Sequence, residues 1–137
     1  MTGMLGLDAA AQASPWTTVG FWLIGVGAAY LLFLAARAFV NPKGFAVYLG
    51  LPLSDPADTG FVYVYAARST FISLLAVALL VRHDMSVLSM FALLAVPMPV
   101  TDAILVSRAH AGAATVARHS IVAVFLFVAS VLLWLGI

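Results

Sequence analysis

The chain has 137 residues, 65% of them hydrophobic and 8% charged, with a formal net charge of +1. Roughly a quarter of residues are charged in an ordinary soluble domain, so charge cannot cover this surface and lipid must be its main solvent. The near-neutral balance excludes the basic patch that nucleic acid requires, and the absence of cysteine excludes disulfides, thiolate metal sites and cysteine nucleophiles.

Residues 1–15 form a short lead containing Asp8 and Gln12. It lacks the positive start of a secretory signal, so it is expected to be retained, as an interfacial helical turn or as disordered chain. Residues 16–40 are the first expected span, since about 20 apolar residues at 1.5 Å each cross the roughly 30 Å hydrocarbon layer. Trp16 and Trp22 suit the interfacial aromatic belt, and Arg37 can snorkel at the far end. Gly20, Gly25, Gly27, Ala28 and Ala29 offer a small-residue strip for close helix contact. Pro42 disfavours the helical conformation at Asn41 and ends the span.

Residues 43–59 form the longest connection. Its first part, GFAVYLGL, is apolar but too short to cross, which predicts a re-entrant or interfacial segment in the first loop. A turn with Pro52, Pro56 and two aspartates follows, and Asp58 or Thr59 is placed to cap the next helix. The second span, 60–82, ends in the polar turn Arg82-His83-Asp84. The third, 85–108, contains Pro97 and Pro99, each of which removes a backbone hydrogen bond and should bend the helix just before Asp102. The fourth is 114–137. The pattern predicts an all-α, single membrane domain over residues 1–137, a four-transmembrane-helix bundle running up-down-up-down. Arg37, Lys43, Arg108 and Arg118 fall near one face and Arg82 near the other. That bias places the first and third loops in the cytoplasm and both termini outside, in a bacterial inner (plasma) membrane.

Arg68 lies well inside the second span, where an ionised side chain must find a partner, face the interior or reach water. The chain has no glutamate, and of its five aspartates only Asp102 lies deep in an apolar run. In an alternating bundle Arg68 sits about 12 Å from the shared face, Asp102 about 9 Å and His119 about 7 to 8 Å, at 1.5 Å per residue. All three therefore fall in one half of the membrane. At 100° per residue Tyr65 and Ser69 share the face of Arg68, Tyr63 projects from an adjoining face, and Asn41 emerges on the same side. The expected object is a half-membrane pocket with Arg68, Tyr65, Tyr63, Asn41 and Ser69 as binding residues and Asp102 and His119 as proton-transfer candidates. Arg68 and Asp102 read equally as a structural ion pair. His119, beside Arg118 near a helix start, reads equally as facing headgroups. His110 and His119 are nine apart across a turn, without paired carboxylates or thiolates, so neither a metal site nor another cofactor is expected.

The run NPKGFAVYLGLPLSDPADTGFVYVYAAR (41–68), then VPMPVTDAILV (96–106), then the segment around His119, resembles the domain-of-unknown-function family numbered 4267. Its most specific parts are the NP–G–LG element, YVYAAR and the proline-then-aspartate stretch. The chain departs from the family pattern at Ser69, where members carry an acidic residue, and at Thr101, where they carry glycine. The resemblance implies a small four-helix integral membrane protein and supplies no activity.

Three functions compete on this reading. The first is binding of a membrane lipid or small hydrophobic molecule in the pocket, its polar head at Arg68. The second is a membrane-embedded isomerase or cyclase with Asp102 as general acid or base and His119 or Tyr65 relaying the proton. The third is a small proton-coupled transporter acting as a homodimer. It ranks below the others because the first span holds no acidic residue.

Overall fold

In the computed structural model, residues 14–55 and 58–137 are described. The expectations for residues 1–13 and for Pro56 lie outside them. The described chain is helical: α1 (Val19–Val40), α2 (Pro42–Leu49), α3 (Gly60–Arg82), α4 (Met85–Ala95), α5 (Pro97–Arg108) and α6 (Ala113–Leu135), preceded by a 3₁₀ turn at Pro15–Thr17. Four stretches are long and apolar enough to span a membrane: α1, α3, α4 with α5, and α6, of 22, 23, 24 and 23 residues. Large apolar side chains on their outer faces, among them Phe33, Phe71, Leu94 and Ile121, are exposed. In lipid such faces carry no desolvation penalty, so the composition and the fold agree.

Local chemistry accounts for each boundary. Asn41 ends α1 and starts α2: its Oδ1 accepts a hydrogen bond from the Gly44 amide at 2.9 Å, while Pro42 occupies the first helical position, where no amide hydrogen is missed. The segment expected to enter or lie along the membrane is thus the short helix α2. It stops at Gly50, whose φ of 79° is left-handed and easy only for glycine. Thr59 is the N-cap residue of α3, its carbonyl accepting from the Val62 and Tyr63 amides, but its side chain makes no capping hydrogen bond, contrary to the expected side-chain cap. Asp84 does cap α4, its Oδ1 accepting from the Val87 amide at 3.0 Å. The third span is divided at Val96, because Pro97 has no amide hydrogen to continue the ladder and begins α5 instead.

The two ends of the bundle are fastened differently. At one end the start of α1 meets the ends of α3 and α6. The Trp16 ring lies 5.2 Å from that of His83, and the Gly20 amide donates to the Ile137 carbonyl at 3.1 Å. Phe21, Ile24, Leu88 and Leu133 form the core there. Between α4 and α6, Ser89 and Ser130 each donate a hydroxyl to the other's backbone carbonyl, at 2.9 and 3.0 Å. Such exchanges join helices where lipid offers no hydrophobic contrast. At the other end α2 folds back, so that Phe45, Ala46 and Leu49 pack with Leu34, Ala38, Val62 and Ala66.

The small-residue strip of α1 is used unevenly. A Cβ on Gly20 would meet the Leu133 amide nitrogen at 2.8 Å and the Ala129 carbonyl at 3.0 Å, whereas at Gly25 the nearest atom is Leu80 Cδ1 at 3.9 Å. Helix propensity favours alanine over glycine by about 1 kcal/mol, and overpacking against fixed backbone costs about 1–3 kcal/mol. Gly20→Ala is therefore expected to lower the thermal unfolding midpoint in detergent, while Gly25→Ala leaves it unchanged or raises it. Equal effects from the two would show that α1 and α6 are not in close contact.

Candidate functional site

Between the two core clusters the helices enclose a cavity of about 310 Å³. Its walls come from α1, α2, α3, the α4–α5 junction and α6. One end is apolar, with Ile24, Ala28, Ala76, Phe91 and Leu126. The other end gathers Tyr30, Tyr48, Tyr65, Arg68, Asp102, Arg118 and His119, all the cavity's ionisable groups, together with Ser69. A shallower depression of about 480 Å³ lies over residues 50–54, Asp58, Phe61 and Ala109, away from that set.

Arg68 meets Asp102 across the bundle. Its Nη2 lies 3.4 Å from Asp102 Oδ2 and 3.5 Å from Oδ1, and its Cζ stands 5.5 Å from the centre of the Tyr65 ring. A tight charge-assisted hydrogen bond is about 2.7–2.9 Å, so this is a loose ion pair. The side chains are 43% and 21% exposed. The pair therefore sits on the rim of the cavity, bridging α3 and α5, which otherwise pack sparsely. The division of the third span at Val96 starts α5 afresh, and Asp102 follows one and a half turns later on the side of Pro99 and Val106, the buried residues of that helix.

Tyr65, half-buried on α3, lies one helical turn before Ser69 on the same face. Ser69 is itself buried, and its carbonyl accepts from Ser73 Oγ at 2.8 Å. His119 projects from α6 with its Nε2 closed off from solvent and without a hydrogen-bond partner among the described residues. A buried polar atom without a partner costs on the order of 1–3 kcal/mol, which marks Nε2 as unusual in this fold. Among the described residues, no three of His, Asp or Glu converge as metal ligands.

Arg68, Asp102, His119, Tyr65 and Ser69 thus line one cavity. Asn41 and Tyr63 do not. Asn41 spends its side chain on the cap of α2. Tyr63 is turned outward, stacked on Phe39 with ring centroids 6.2 Å apart.

The sequence reading missed Tyr30, Tyr48 and Arg118 as wall residues. The Tyr30 and Tyr48 hydroxyls are 3.0 Å apart. Arg118 donates from Nη1 to the Tyr48 carbonyl at 2.8 Å and places its Cζ 4.0 Å from the centre of that ring. Arg37 approaches the same ring at 5.3 Å. Tyr48 is therefore held by two cations, and α2 with it is fixed across the polar end. The signal in the sequence was slight. An arginine at a helix start normally reads as facing headgroups, and no spacing rule connects it to an aromatic in the first loop.

The family described as a domain of unknown function (DUF4267) matches residues 28–133. The chain belongs to this family. Neither a curated protein nor a solved structure matches it. The matched stretch begins inside α1 and ends near the close of α6, so it includes every wall residue of the cavity except Ile24, Val26 and Gly27.

The ion pair makes a direct prediction. Asp102→Ala leaves Arg68 uncompensated inside the membrane, so it should destabilise more than Arg68→Ala/Asp102→Ala does. A double-mutant cycle on thermal unfolding in detergent should give a coupling of about 0.5–3 kcal/mol. Additive effects would show that the two groups do not depend on each other.

Proposed function

We propose that this membrane protein binds a small hydrophobic or lipid-like molecule in the inter-helix cavity. The observation that supports the reading is the division of the cavity into an apolar end at Ala28, Ala76 and Phe91 and a polar end at Tyr65, Arg68, Asp102 and His119. Ligand sites typically have this form, mostly apolar walls with a few convergent polar groups, in volumes of about 300–1,000 Å³. At about 310 Å³ this cavity suits a compact molecule. The ligand's apolar body lies along the first set and its polar head reaches the second. Arg37, Lys43, Arg108 and Arg118 cluster towards the polar end and Arg82 lies at the other. By the positive-inside tendency the polar end faces the cytoplasm of a bacterial cell, and both termini lie outside the inner membrane.

Native mass spectrometry and lipid extraction of the purified protein should reveal a bound hydrophobic species. Ile72 lines the cavity and is only partly buried, so Ile72→Phe reduces the space with little strain on the core. It should lower occupancy by roughly tenfold, equivalent to about 1.4 kcal/mol. Absence of any bound species across several mild detergents would remove the reading.

A second reading is supported by Asp102 and His119 facing the same space: a membrane-embedded isomerase or cyclase. Asp102, beside Arg68, takes a proton from the substrate as general base, and His119 or Tyr65 returns one elsewhere on the molecule. Asp102→Asn keeps the shape and removes the base. It should abolish complementation of a deletion strain while leaving ligand occupancy intact; full complementation by Asp102→Asn would exclude proton transfer by this residue.

A further inference from the structure

The polar atoms of the cavity differ in how far they are already engaged. Arg68 is paired with Asp102. Tyr30 and Tyr48 hold each other, Arg118 holds the Tyr48 carbonyl, and the Tyr65 ring lies against the Arg68 guanidinium. His119 Nε2 is different: it is closed off from solvent and no protein atom among the described residues answers it. We propose that the His119 imidazole, whose Nε2 no water-sized group reaches even from the cavity as the structure stands, turns to contact the ligand directly, and that the ligand is an uncharged, compact apolar molecule bearing a hydroxyl group. This inference rests on the reading of the cavity as a binding site.

The charges favour a neutral head. An anionic head drawn to the remaining N–H groups of Arg68 would face the Asp102 carboxylate at close range. Arg118 is occupied by Tyr48, and Arg37 stands outside the cavity wall. A cationic head would meet the Arg68 guanidinium in the same way. A hydroxyl suffers neither repulsion. It also suits either form of a neutral imidazole, since it can donate to a bare Nε2 or accept from a protonated one, whereas a carbonyl serves only the second. A cavity of about 310 Å³ leaves no room for a two-chain phospholipid to enter whole. A short isoprenoid alcohol has the required chemistry: one hydroxyl for Nε2 and a flexible hydrocarbon body for Ala28, Ala76 and Phe91.

The test uses the full chain in detergent and three probes that share one skeleton: farnesol, the hydrocarbon farnesene and farnesyl phosphate. Their affinities are measured by titration in native mass spectrometry. Farnesol should bind about tenfold or more tightly than farnesene, because farnesene leaves Nε2 without a partner, and farnesyl phosphate should bind more weakly than farnesol. His119→Phe should bring farnesol down to the level of farnesene and leave farnesene unchanged, while His119→Gln, which keeps a donor and an acceptor, should retain part of the preference. If His119→Phe does not fold, the ranking on the native chain and on His119→Gln decides. Equal binding of farnesol and farnesene to the native chain would overturn the role of His119 while leaving the cavity as a site. Tightest binding of the phosphate would overturn the neutral head. No binding of any probe would overturn both this inference and the reading of the cavity.

Discussion

The structure depends on a guanidinium placed where hydrocarbon would otherwise surround it. Arg68 sits eight residues into α3, and in lipid an isolated charge at that depth is among the most costly side chains a helix can carry. Asp102 answers it from α5. Because the two helices pack sparsely, the ion pair spans a gap instead of closing one. The space behind it is the cavity. A tighter apolar contact between α3 and α5 would have stabilised the bundle and removed the room for anything else.

Other features keep that room open. Ser89 and Ser130 fasten α4 to α6 near one end, and Gly20 lets α1 approach α6 there. At the opposite end α2 crosses the bundle, held by Arg118 and Arg37 on Tyr48, and by Gly50 against Ala111 and Thr115. The helices are thus fastened near both ends and free to part between them. The residues left facing that middle space are largely apolar, with one buried imidazole nitrogen that no partner among the described residues satisfies.

Much of this was legible in the sequence because membrane helices obey a simple constraint. Their backbone must satisfy itself and their length must match the bilayer. That fixed the four spans, and α3 begins and ends where the apolar run does. Depth counting brought Arg68, Asp102 and His119 to one level because rise per residue is nearly constant. Face was harder. Tyr63 and Tyr65 lie two residues apart and so point about 200° apart on a helix. Only Tyr65 reaches the cavity; Tyr63 stacks outside on Phe39. Asn41 was read as a wall residue, although Asn before Pro is also the ordinary start of a helix, and capping is how its side chain is used. Tyr48 and Arg118 were illegible for another reason. Their meeting depends on how α2 folds back, which is set by the packing of Phe45 and Leu49 and not by any local pattern.

An experimental structure of the protein in a lipid nanodisc tests the central claim most directly. It should show the Arg68 guanidinium against Asp102 at the mouth of an inter-helix cavity, with elongated density running from His119 towards Phe91. An Arg68 side chain turned away from Asp102 into the lipid, with the helices closed together behind it, would contradict the account.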